Sequence, residues 1–191
     1  ILKRLKTFAT KMFYLYFPFV SKTNKKKSFY KFVQDGYNNL LYQNLKINNN
    51  SIVFDIGGYK GEFTERILSI CQCKIYIFEP VNEFYNIINK KYENIPLVSS
   101  YNLGLGGEKK IIKINVRGSS SSTFNLDSNN VHTEEIIIES INEFIKENKI
   151  DFIHIMKINI EGGEYSLIES LINTNYIQNI NIIILKIENT W

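Results

Sequence analysis

Ser51-Ile52-Val53-Phe54-Asp55-Ile56-Gly57-Gly58-Tyr59-Lys60-Gly61 decides how the rest of the chain is read. It opens as a short, near-continuous apolar run, the pattern of a strand buried on both faces of a parallel sheet. Gly57-Gly58 stops the run and lets the backbone turn sharply and approach a ligand closely. Gly61 lets a helix begin against the strand, and residues 61–70 are helically spaced, with Phe63, Ile67 and Leu68 on one face. The start of such a helix offers unpaired N–H groups and the positive end of a dipole, which suit a pyrophosphate or a carboxylate.

Outward from this turn, strand and helix patterns alternate. Residues 74–78 predict a second strand, 82–92 a helix with Phe84, Ile87 and Ile88 apolar, and 95–100 a third strand. Residues 110–116 alternate apolar and polar positions, as in a hairpin-like excursion. Residues 118–130 are rich in Gly, Ser and Asn and read as a loop. Residues 136–145 mix strand and helix signals. A fourth strand is expected over 151–160, a helix over 164–172 and a fifth strand over 179–188. Short turns between alternating strands and helices predict a doubly wound, mainly parallel α/β sheet, which binds ligands at the carboxyl ends of its strands.

Those ends carry the chemistry. A dinucleotide turn wants Gly-x-Gly-x-x-Gly in neutral surroundings. Here the spacing is Gly-Gly-x-x-Gly, with Asp55 two residues before it. That carboxylate would repel a pyrophosphate and tolerate a cationic, zwitterionic ligand. S-adenosylmethionine, with a sulfonium and an ammonium, suits it. Strand two ends in Phe78-Glu79-Pro80, and Glu79 can accept hydrogen bonds from both hydroxyls of a ribose. NAD also carries such a ribose, so Glu79 supports an adenosine ligand without choosing between the two. Strand four ends in Lys157-Ile158-Asn159-Ile160-Glu161-Gly162-Gly163-Glu164. Three polar side chains (Asn159, Glu161 and Glu164) converge there; carboxylates buried in a core would need partners. Glu161 is the first candidate for a general base and Glu164 the second. His154 lies inside an apolar strand and reads as structural, whereas His132 follows the Ser/Asn loop, from where a side chain could reach a substrate.

Composition sets the outer bounds. With 191 residues and 44% apolar content the chain is globular and holds one domain with a real core. The net charge of +4 conceals an asymmetry: residues 1–34 hold nine Lys/Arg and no acid, and the remaining 14 against 19 Asp/Glu leave the body at −5. A nucleic-acid groove in the body is therefore not expected. Residues 1–34 read as a basic arm, with Ile1, Leu5, Phe8, Met12 and Leu15 at helical spacing. It is expected to dock on the body as a helix, to touch a membrane surface through residues 1–27, or to contact a partner. Residues 30–46 carry a further helical pattern. The longest apolar run, residues 12–20, is half the length of a bilayer span. Cys71 and Cys73 are too few for a disulfide framework and lack companions for a metal site, so a reducing, cytoplasmic setting is expected, with no metal.

These stretches together resemble the FkbM-type family of S-adenosylmethionine-dependent methyltransferases over roughly residues 35–190. The match lies in residues 53–61, Phe78-Glu79-Pro80, Gly104-Leu105-Gly106, Ser121-Ser122 and above all residues 156–165. The resemblance implies a class I methyltransferase fold and O-methylation of a sugar in a glycan, or of a small natural product. It implies that Asp55, Gly57, Gly58, Tyr59 and Gly61 line the methionine part of the cofactor and that Glu79, beside Pro80, holds the ribose. It further puts the backbone from Asn102 to Gly104 near the adenine, and Asn159 and Glu161 facing the transferred methyl. The chain departs from the family at Asn159, where many members have Asp, and after strand five, where Glu188 replaces a His. Two further strands are expected beyond Trp191. A non-catalytic cofactor-binding scaffold and, behind it, an NAD-dependent oxidoreductase are the competing readings.

Overall fold

A computed structural model describes residues 46–116, 132–160 and 162–185. The expected N-terminal arm, the 30–46 helix, the Ser/Asn loop, Glu161 and Glu188 lie outside the described residues. The chain divides into two compact units, Ile1–Lys46 and Ile47–Trp191, and the second holds every element that follows.

The elements run in order as β1 (Ile52–Ile56), α1 (Glu62–Ile70), β2 (Lys74–Phe78), α2 (Asn82–Tyr92), β3 (Val98–Tyr101), β4 (Gly104–Gly106), β5 (Lys110–Val116), β6 (His132–Ser140), α3 (Ile141–Glu147), β7 (Ile153–Ile158), α4 (Glu164–Asn173), a 3-10 turn (Tyr176–Asn179) and β8 (Ile180–Leu185). Five strands form a parallel sheet in the order β3-β2-β1-β7-β8. The chain winds outward from β1 through β2 to β3, then returns to the other side of β1 with β7 and β8. The fold class expected from the alternating pattern is therefore the one observed, a doubly wound, Rossmann-like α/β sheet.

Register explains why the strand sequences are so apolar. Phe54 lies beside Tyr76 and Met156, and Ile56 beside Phe78 and Ile158. Their side chains form one layer with Phe144 of α3 and Leu167 and Leu171 of α4. Phe144 meets Phe78 and Tyr101 edge-on, at ring separations of 4.8 and 5.1 Å. On the opposite face Val53, Ile75, Ile77 and Ile155 are fully buried with Ile67 of α1 and Ile88 of α2. Asp55 and Lys157 lie side by side on that face.

Several boundaries moved. The third strand begins at Val98, not at 95, because Ile95 still closes a turn onto Tyr92 and Val98 a turn onto Ile95. The fourth is the six-residue β7, Ile153–Ile158, and the fifth ends at Leu185 in the described residues. The excursion is larger than the alternating 110–116 segment announced. β6 pairs antiparallel with β5 and parallel with the unforeseen β4, making a second three-stranded sheet. The mixed signal over 136–145 resolves at Ser140, whose hydroxyl caps α3 by accepting from the Glu143 amide at 3.4 Å.

Candidate cofactor and acceptor site

The described candidate residues gather at the carboxyl edge of the parallel sheet. Gly57 follows β1, Glu79 follows β2, Asn102 follows β3 and Asn159 follows β7. The strand order reverses between β1 and β7, so Gly57 and Asn159 flank the switch point where such sheets open a crevice.

Asp55 is fully buried, and both carboxylate oxygens are taken. Oδ2 accepts from Thr64 Oγ1 at 2.9 Å, and Oδ1 accepts from Lys157 Nζ at 2.9 Å. Lys157 is the register partner of Asp55 on β7, and its ammonium also donates to the Gly57 carbonyl at 2.5 Å. The charge argument made from sequence is thereby corrected: Asp55 presents no bare negative charge to a ligand, because Lys157 balances it. Lys157 and Thr64 are the residues that sequence reasoning missed. The signal existed, since a carboxylate inside an apolar strand requires a partner. Lys157 precedes Asn159 by the same two residues that separate Asp55 from Gly57.

The glycine turn is held mainly by the end of β2. Gly57 and Gly58 donate to the Phe78 carbonyl at 2.9 and 3.2 Å, Gly61 donates to Gly58 O at 2.8 Å, and Tyr59 donates to Glu79 Oε2 at 2.7 Å. Gly57 has φ of +78°, and a side chain there would run into the Asn159 carbonyl. Gly61 has φ of +76°, and a methyl there would sit 2.8 Å from the Tyr92 ring. The Tyr92 hydroxyl in turn donates to Gly61 O at 2.6 Å. These glycines thus serve close packing of β7 and α2 around the turn. Tyr59 is itself left-handed, with φ of +50°, a strained state for a bulky residue. Its amide bond to Glu79 and its edge-on contact with Phe84 at 4.5 Å hold it there.

Glu79 is only 6% exposed. Its second oxygen accepts from the Val81 amide at 3.0 Å. Burial raises its pKa above the usual carboxylate range, against the lowering effect of the two amides and of Lys157. Pro80 lies against the space beside Gly104, and the Asn102 amide donates to the carbonyls of Glu79 and Pro80, both at 3.2 Å. The Asn102 side chain therefore shapes the end of β2. Gly104 opens β4 opposite Ile138, which fills the position a side chain would need.

On β7, the Asn159 amide nitrogen of the backbone donates to Ile56 O at 2.9 Å. Its half-buried side chain makes no hydrogen bond with the described residues. Glu164 is half-buried at the start of α4 and accepts from the Gly162 amide at 3.0 Å; burial raises its pKa. That is the geometry of a helix-start acid. His154 accepts from the Ile52 amide through Nδ1 at 3.1 Å, matching its structural reading. Among the described residues no group of His, Cys, Asp and Glu is placed to hold a metal. A depression of about 490 Å³ lies at the opposite, amino edge of the sheet, between α3 and the 3-10 turn. Its Asn142, Thr174 and Tyr176 are bonded to neighbours in the fold.

The doubly wound parallel sheet thus brings a glycine turn, an acid after β2 and the Asn159 amide to one edge, at the switch point where such sheets bind ligands. The Methyltransferase FkbM domain model matches residues 55–191, and the chain belongs to that family of methyltransferases. No curated protein matches the chain. Among the described residues, no helix is long and apolar enough to cross a membrane.

Proposed function

We propose that this domain transfers the methyl group of S-adenosylmethionine to a hydroxyl oxygen of a glycan or a small natural product. The carrying observation is how the turn's donors are used. Four amides between Gly57 and Gly61 already donate inside the fold, and Lys157 is committed to Asp55 and Gly57. Those four amides are therefore not open to a pyrophosphate, whereas the Glu79 carboxylate after β2 suits ribose hydroxyls. When bound, S-adenosylmethionine supplies a methyl group made electrophilic by its sulfonium.

The chain's own residues would contribute binding and alignment. Glu79, steadied by the Tyr59 and Val81 amides, keeps lone pairs for the ribose. The segment from Asn102 to Gly104, fixed to Pro80, borders the adenine. Asn159, with its amide uncommitted among the described residues, would orient the acceptor hydroxyl toward the methyl that the cofactor supplies. A base raises the nucleophilicity of a sugar hydroxyl by about 10²–10⁴-fold. Glu161 takes that role in this reading, and Glu164, bound to Gly162, is secondary. The free thiols Cys71 and Cys73 accord with a reducing, cytoplasmic setting. The basic residues of 1–27 accord with contact at an anionic membrane surface.

Calorimetry with S-adenosylhomocysteine and with NAD tests the cofactor. Binding of the first is expected, and binding of NAD alone would overturn the reading. Labelled S-adenosylmethionine with a glycan extract tests the acceptor. Transfer that persists undiminished in Glu161→Gln would remove Glu161 as the base.

A further inference from the structure

The glycine turn has one external grip that neither the family match nor the proposed reaction assigns. The Lys157 ammonium reaches from β7 to the Gly57 carbonyl at 2.5 Å while holding Asp55 at 2.9 Å. The Gly57 carbonyl and the Gly58 amide belong to one rigid peptide plane. That plane is held at its amide end by the Phe78 carbonyl, at 3.2 Å, and at its carbonyl end by Lys157. Flanked by two glycines, an unheld plane would rotate at little cost. Lys157 is only 14% exposed on its side chain, so water competes weakly for its protons. The Phe63 ring of α1 lies 6.0 Å away on one side.

From this geometry we infer that Lys157 is a positioning residue for the cofactor turn, acting through the Gly57 carbonyl and not only as the counter-ion of Asp55. The inference rests on the proposed cofactor reading. It makes the end of β7, which carries Asn159, and the turn after β1 one mechanical unit. The two sides of the switch crevice are then set at a fixed separation before any ligand arrives, which is what in-line transfer requires.

Removing Lys157 alone would also strand the Asp55 charge, so the test works in a background without that charge. Asp55→Asn and Asp55→Asn/Lys157→Met are compared by calorimetry with S-adenosylhomocysteine, and by hydrogen exchange of the 57–61 amides without ligand. The double variant is expected to bind about tenfold more weakly than Asp55→Asn, as for loss of one charge-assisted hydrogen bond, and to exchange faster at the turn. Equal affinity and equal exchange in the two variants would overturn the positioning role. If the unmodified protein does not bind S-adenosylhomocysteine, the proposed cofactor falls, and hydrogen exchange alone decides the role of Lys157. Unchanged exchange then refutes it, and faster exchange upholds it.

Discussion

At the scale of single residues, Glu79 carries the most consequence. Its carboxylate bridges the Tyr59 and Val81 amides and sits where a ribose would lie. Glu79→Ala is expected to weaken S-adenosylhomocysteine binding by roughly 1.5–3 kcal/mol, the worth of a hydrogen bond to a charged group. Calorimetry measures it, and unchanged affinity would refute the ribose role. Burial also raises the pKa of this carboxyl, so the folded state favours the protonated form. The associated stability is full below the ordinary carboxylate range and is lost as pH rises through the raised value. Glu79→Gln has no such loss. Relative to the unmodified protein, its melting temperature is therefore expected to improve as pH rises above the ordinary carboxylate range of about 4. Parallel thermal melts across that rise check the sign.

At the scale of elements, the helices around the site are secured by groups far away in sequence. Helix α2 has no side-chain cap of its own; Val81 stands at its start. Glu134 on β6 supplies the missing acceptor, taking the Asn82 amide at 3.0 Å and the Asn82 side chain as well. Glu134→Ala is expected to cost about 1 kcal/mol, as for loss of a helix cap, read from the urea midpoint. Helix α1 starts at Gly61 under the Tyr92 ring and hydroxyl. Gly61→Ala combines a left-handed backbone with a clash and is expected to cost roughly 1–3 kcal/mol. The alternating strands and helices were legible in the sequence because each buries an apolar face at its own period. The β4–β6 pairing and the Glu134 cap were not, because a three-residue strand has no period and a tertiary cap leaves no local pattern.

At the scale of the whole molecule, the Asp55–Lys157 pair joins the two windings of the sheet. It spans neighbouring strands that are about a hundred residues apart in the chain. Lys157→Met alone is expected to destabilise by about 3–5 kcal/mol, since it leaves a buried carboxylate unpaired. Asp55→Asn/Lys157→Met is expected to recover most of that, because no charge remains buried. Denaturant unfolding of the single and double variants measures both. Residue type and short-range spacing were enough for the fold class, the glycine turn, the acids and amide at the strand ends, and the family. The pairing of Asp55 with Lys157 and the commitment of four of the turn's amides emerge from the folded chain alone. Partner choice between strands depends on register across the sheet, and the chain's linear order does not encode register locally.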